Sequence, residues 1–135
     1  MRLALLALVL AACGGGPQLS ALRCRSGTQA CQDKEDPLKV LLSVDFTDGS
    51  GTFSAGALQL RVDGATQQTV ALKDIFTAQG LDLAATKGTL QLDDDFRLDR
   101  MNQGQQISIS LIATNGEGKD SNEPSISFTL HLGGP

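Results

Sequence analysis

The chain contains no Trp, no Tyr and a single His in 135 residues. One imidazole, His131, offers no basis for a Ser-His-Asp arrangement, and its polar position in an alternating run makes it an expected surface side chain. Basic charge is also short. Eleven Lys and Arg stand against fifteen Asp and Glu, a formal net charge of −4. Nucleic-acid binding relies on neutralising phosphates with Lys and Arg, so no nucleic-acid partner is expected. The same balance argues against a polybasic contact with anionic lipid. Neither a phosphate-cradling Gly-rich loop nor a metalloprotease motif is present. The chain does have a 41% hydrophobic content, enough for a core, and fifteen Gly to serve turns. Short runs of Leu, Val, Ile and Thr fit an all-β chain better than a helical bundle.

At the N-terminus one positive charge, Arg2, precedes an apolar run from Leu3 to Ala12. Ten residues of helix reach roughly 15 Å, about half a hydrocarbon core. The run is therefore too short for a comfortable membrane span, and it fits a secretory signal with small residues at its end. Leu10-Ala11-Ala12-Cys13 resembles the lipobox of bacterial lipoproteins, in which Leu and two small residues precede the Cys. The resemblance implies a diacylglyceryl group on the Cys13 thiol, cleavage before Cys13 and acylation of the new amine, palmitate being a typical chain. Two or more acyl chains hold a protein durably where one does not. An ordinary cleaved signal with an incidental Cys, or an uncleaved helix, is the alternative. Gly14 is not the Asp that retains some lipoproteins in the inner membrane, so the resemblance favours the outer membrane of the cell envelope. Loss of residues 1–12 leaves ten bases against fifteen acids, a net of −5.

Residues 13–36 begin with Cys13, three Gly and a Pro and show little periodicity. They are expected as a lipidated Cys followed by a flexible tether. Cys24 and Cys31 form an even pair in an exported chain, and a disulfide is expected. Free or mixed thiols are the alternative. A metal site lacks a second Cys pair or a nearby His, and the spacing is not the C-x-x-C of thiol oxidoreductases.

From Leu38 the pattern alternates. Leu38, Val40, Leu42, Val44 and Phe46 share one parity, as do Leu58, Leu60 and Val62. Val70 and Leu72 follow the turn at Asp63-Gly64. Leu90, Leu92, Phe96 and Leu98 form another set, interrupted by Asp94. Ile107, Ile109 and Leu111, then Ile126, Phe128, Leu130 and Leu132, complete the series. Period two marks strands with one buried face. Asp48-Gly49-Ser50-Gly51, Asn115-Gly116 and Glu117-Gly118 are the other turn signals. Six strands over residues 37–135 predict a single small antiparallel β-sandwich; residues 77–88 fit it least well, and Ala78 to Lys87 are expected as a loop or one helical turn. A lipocalin-like barrel would need more strands to close.

Ile107 to Gly118, with Ser121 and Pro124-Ser125, resembles the closing hairpin of fibronectin type III and related immunoglobulin-like domains. Those domains often run from alternating apolar residues through Ala-x-Asn-x-x-Gly to Ser and Pro, as Ala113, Asn115 and Gly118 do here. Val44 to Gly49 and Leu60 to Gly64 are similar to the second and third strands of bacterial sandwich modules. The family's core Trp is absent, Ile107 replaces the aromatic that often opens the penultimate strand, and no first strand is evident unless residues around 24–36 supply it.

Asp93-Asp94-Asp95 is the densest acidic cluster. Consecutive strand residues point to opposite faces, so the three cannot converge as acid–base pairs do, and a bend at Asp94 is expected. Asp45, Asp48, Asp93 and Asp95, or Asn115, Glu117 and Asp120, offer hard oxygen ligands near turns and are weak calcium candidates. Hydrated turn residues are the simpler reading. No catalytic residue and no cofactor beyond covalent lipid on Cys13 is expected. The expected function is a membrane-anchored, non-catalytic module presenting loops 47–56, 77–88 and 115–123, or a sheet edge, to an envelope protein or glycan. An accessory subunit of an envelope export, adhesion or assembly complex is the alternative, and a carboxylate-dependent hydrolase on wall glycans is a distant third.

Overall fold

A computed structural model describes residues 16–25, 31–33, 35–92, 95–98 and 104–130. Within them the chain forms β1 (Gln18–Cys24), β2 (Leu42–Thr47), β3 (Ala57–Val62), β4 (Ala65–Ala71), α1 (Leu72–Gln79), β5 (Lys87–Leu92), β6 (Gln106–Thr114) and β7 (Ser125–Thr129), with a 3-10 turn at Phe53–Ala55. Every strand pairing is antiparallel. The sheets run in the order β1-β2-β5 and β4-β3-β6-β7, a small all-β sandwich. The alternating residues fill the space between them: Val40, Leu42, Val44, Phe46, Leu58, Leu60, Leu90, Leu92, Ile109 and Leu111 are almost wholly buried. Asp63-Gly64 makes the β3–β4 turn, with φ of 50° and 88°. Consecutive positive φ values are what a two-residue hairpin turn of the matching twist requires, and Asp-Gly supplies them.

Three features depart from the sequence expectations. The first strand of the sandwich begins at Gln18, so the expected boundary at residue 37 is too late and seven residues of the expected tether, Gln18–Cys24, are strand. β1 escaped the pattern because it is an edge strand in which only Leu19 is fully buried, and Ala21 adopts φ 53° at an irregularity between Ser20 and Arg23. Among the described residues seven strands therefore stand where six were expected. Next, Val70 and Leu72 do not share a strand. Helix α1 starts at Leu72 and buries Leu72, Ile75 and Phe76, an i, i+3, i+4 face. It ends at Gly80, whose left-handed φ of 70° lets its N–H reach the Phe76 and Thr77 carbonyls. The helix thus starts ahead of the 77–88 segment and takes in only its first three residues. Finally, β5 stops at Leu92, and Phe96 and Leu98 are buried beyond the strand.

The first sheet's outer strands are not open along their length. The Asn122 carboxamide accepts from Leu19 N–H (2.7 Å) and donates to Leu19 C=O (2.8 Å) on β1. Gln79 does the same to Gln91 on β5, at 3.2 and 2.8 Å. Each amide occupies backbone groups that a further strand would use, a common device against edge-to-edge association. This narrows the expectation of an exposed first edge free to accept a partner strand.

Cys24 and Cys31 form a disulfide, with Cα atoms 4.6 Å apart. It lies at the end of the sandwich opposite Gln18, where Leu41 N–H donates to the Cys31 carbonyl and Arg25 N–H to Leu41.

Candidate functional site

Strand register decides which loops meet. Gln18 pairs with Thr47, and Thr47 with Lys87. Ala57 pairs with both Ala71 and Thr114. The loops after β2, after β6 and around α1 therefore gather at one end of the sandwich, and the chain enters β1 at that same end. The three segments expected as contact loops, 47–56, 77–88 and 115–123, come together there.

Asp48 and Asn115 are the centre of this end. Both are about 3% exposed, although both lie in loops. The Asp48 carboxylate accepts from Ser50 N–H (3.0 Å), Ser50 Oγ (2.8 Å) and Asn115 Nδ2 (3.0 Å). Asn115 Oδ1 in turn accepts from the backbone N–H of Glu117 and of Lys119, each at 3.0 Å. The backbone completes the tie: Asp48 N–H donates to Thr86 C=O (2.7 Å) and Gly116 N–H to Thr52 C=O (2.9 Å). Buried polar groups cost free energy unless paired, and these are paired across 67 residues of sequence.

Beneath this network lies an aromatic cluster. Phe46 and Phe53 stack with ring centroids 4.3 Å apart, and Phe76 tilts against them at 5.4 and 6.1 Å. Gly56 lets the 3-10 turn press on β6, since a Cβ there would lie 1.6 Å from the Thr114 carbonyl oxygen. Above the network an open cleft of about 390 Å³ is lined by Gly16, Asp48, Gly49, Ser50, Asn115, Glu117 and Lys119. Its lining of carboxylate, hydroxyl, amide and ammonium groups suits hydrogen bonding to a polar surface.

The described calcium candidates are divided: Asp48, Asn115 and Glu117 line the cleft, while Asp45 and Asp95 lie elsewhere. Asp45 lies in β2 and faces Arg23 (3.4 Å) and Thr89 Oγ1 (2.8 Å), whereas Asp48 is turned into the loop network. Asp120 accepts from Thr114 Oγ1 at 2.6 Å. Asp95 lies near the opposite end, its carbonyl accepting from Gln68. Among the described residues no three His, Cys, Asp or Glu side chains are grouped to hold a metal. Cys13, Asp93, Asp94 and His131 lie outside the described residues.

Sequence reasoning named Asp48 and Asn115 but assigned them to different ligand sets. It overlooked Ser50, Phe76 and Leu83. The i, i+3, i+4 spacing of Leu72, Ile75 and Phe76 ahead of Gly80 was the available signal for the helix. Neither known protein families nor curated proteins provide a match to the chain.

Proposed function

We propose that the protein is a bacterial envelope lipoprotein, acylated on Cys13, whose β-sandwich acts as a non-catalytic binding module for an envelope protein or glycan. The observation that carries this reading is the lipobox Leu10-Ala11-Ala12-Cys13, three residues ahead of Gly16, the first described residue. The Cys24–Cys31 disulfide supports export, because such bonds persist in oxidising compartments. Among the described residues no helix is long and apolar enough to cross a membrane, so attachment through them would not use a helical span. The β1-β2-β5 and β4-β3-β6-β7 sheets support the fibronectin type III-like reading of the sandwich. Loop-borne contacts on a rigid sandwich are a common binding mode. The outer membrane is the favoured location, on Gly14 following the lipobox.

Intact mass of the native protein, extracted from membranes with and without reductant, tests the reading. The expected mass starts at Cys13, carries acyl chains and gains two hydrogens on reduction. The Cys13→Ser variant is expected to leave the membrane fraction. A native protein without acyl chains would overturn the proposal.

A further inference from the structure

We infer that the loop end of the sandwich, carrying the Asp48–Asn115 network and Leu83, rests against the lipid surface, so that the opposite end faces away from the membrane. The inference rests on acylation of Cys13 as proposed above, and it names the bilayer as the neighbour of the candidate site.

Two independent observations lead there. The first is the length of chain between anchor and domain. Gly16 is the first described residue, and its backbone lies against the β6–β7 loop: a Cβ on it would be 3.0 Å from Lys119 Cβ and 3.2 Å from the Asp120 carbonyl oxygen. Three residue steps separate Cys13 from Gly16, a reach of at most about 11 Å. A domain of this size has a radius of gyration of roughly 13 Å. So short a leash prevents the domain from turning its far end to the lipid.

The second is the position of exposed apolar surface. Leu83 is the one large hydrophobic side chain that is exposed among the described residues, at 45%. It belongs to the same end, in the loop between α1 and β5. Its placement is built rather than incidental. Asp82 Oδ1 accepts from Ala84 N–H at 2.9 Å, and Asp82 C=O from Ala85 N–H at 2.9 Å, so Leu83 sits at the tip of a closed turn. Ser54 Oγ donates to the Leu83 carbonyl at 2.6 Å and ties that turn to the 3-10 turn. The same end carries Lys87, Lys119, Asp82 and Glu117, charges of both signs. Charge therefore gives this end no strong preference for anionic lipid. The leash sets the distance, and Leu83 supplies the apolar contact at the headgroup boundary.

The outward end carries the Asp63-Gly64 turn and the Cys24–Cys31 bond. It stands about a strand length away, roughly 20 Å.

The test uses the full-length acylated protein in phosphatidylcholine vesicles with nitroxide-bearing lipids. Leu83→Cys and, separately, Ala65→Cys at the far turn are labelled with a fluorophore, the native disulfide being left oxidised. Quenching by the nitroxide lipids is expected to be several-fold stronger at position 83 than at position 65. Equal quenching at both positions, or stronger quenching at 65, in protein shown by mass to be acylated and bound to the vesicles overturns the orientation alone. Protein that lacks acyl chains and fails to float with the vesicles overturns the anchor, and the orientation with it.

Discussion

The two ends of the sandwich are held together by different means. At the loop end, Phe46, Phe53 and Phe76 are buried beneath a buried polar pair, Asp48 and Asn115, and helix α1 closes one side. At the opposite end a covalent Cys24–Cys31 bond closes an eight-residue loop, and the polar ties are at the surface. Arg97 pairs there with Asp36, with side chains 55% and 40% exposed. Gln68 uses its amide to hold Asp95 C=O (2.7 Å) and Arg97 N–H (3.0 Å). Burial makes a polar contact costly to lose, whereas water replaces an exposed one at little cost. The loop end should therefore be sensitive to side-chain substitution, and the far end chiefly to reduction.

The strongest test of that contrast is Phe76→Ala. Removing a fully buried aromatic from the three-ring cluster is expected to cost about 3–5 kcal/mol in urea unfolding. A loss under 1 kcal/mol would mean that the loop end is not the packed one. Replacing Cys24 and Cys31 together with Ser is expected to cost roughly 2.5 kcal/mol in the chain-entropy account, with the effect absent when both proteins are compared under reductant. Next comes Asn115→Ala, expected to cost about 1–3 kcal/mol, because it leaves the Asp48 carboxylate and two loop N–H groups short of partners. Hydrogen exchange should also quicken at Glu117 and Lys119 while the far end keeps its protection.

The smallest effect is expected at Asp36. The hydrogen bond from Arg97 holds its carboxyl below the usual carboxylate value, with a further contribution from the Arg97 charge. A lowered carboxyl pKa stabilises the fold above the unfolded value, and that contribution disappears as pH falls through the folded value. Stability of Asp36→Asn should accordingly converge with that of the parent in acid below that range, and differ only slightly at neutral pH. Added salt should shrink the neutral-pH difference, since the pair is solvent-exposed. A large, salt-resistant difference would break the contrast between the ends.

Much of the fold was legible because its central strands bury one face each. Leu42, Val44 and Phe46 alternate with Ser43 and Asp45, and Ile107, Ile109 and Leu111 do the same with serines. β1 was not legible, because an edge strand with a backbone irregularity buries too little to impose a period. α1 was missed because its apolar face is a single turn deep, and Leu72 also fitted the parity of the preceding strand. The candidate site was legible only in parts. Asp48 and Asn115 each read as loop residues, and nothing local distinguishes a hydrated loop acid from one buried under a neighbouring loop.

The amino-acid sequence alone determined the turn at Asp63-Gly64 and the apolar parity of the central strands. Each depends on residues close together in the chain, where side-chain spacing and backbone preference act directly. Only the tertiary structure decided that Asp48 meets Asn115, that two amides cover the outer strands of the first sheet, and that the expected contact loops share an end with the point where the chain enters. Those outcomes depend on strand order and register, which are set by how two apolar faces pack together over the whole domain.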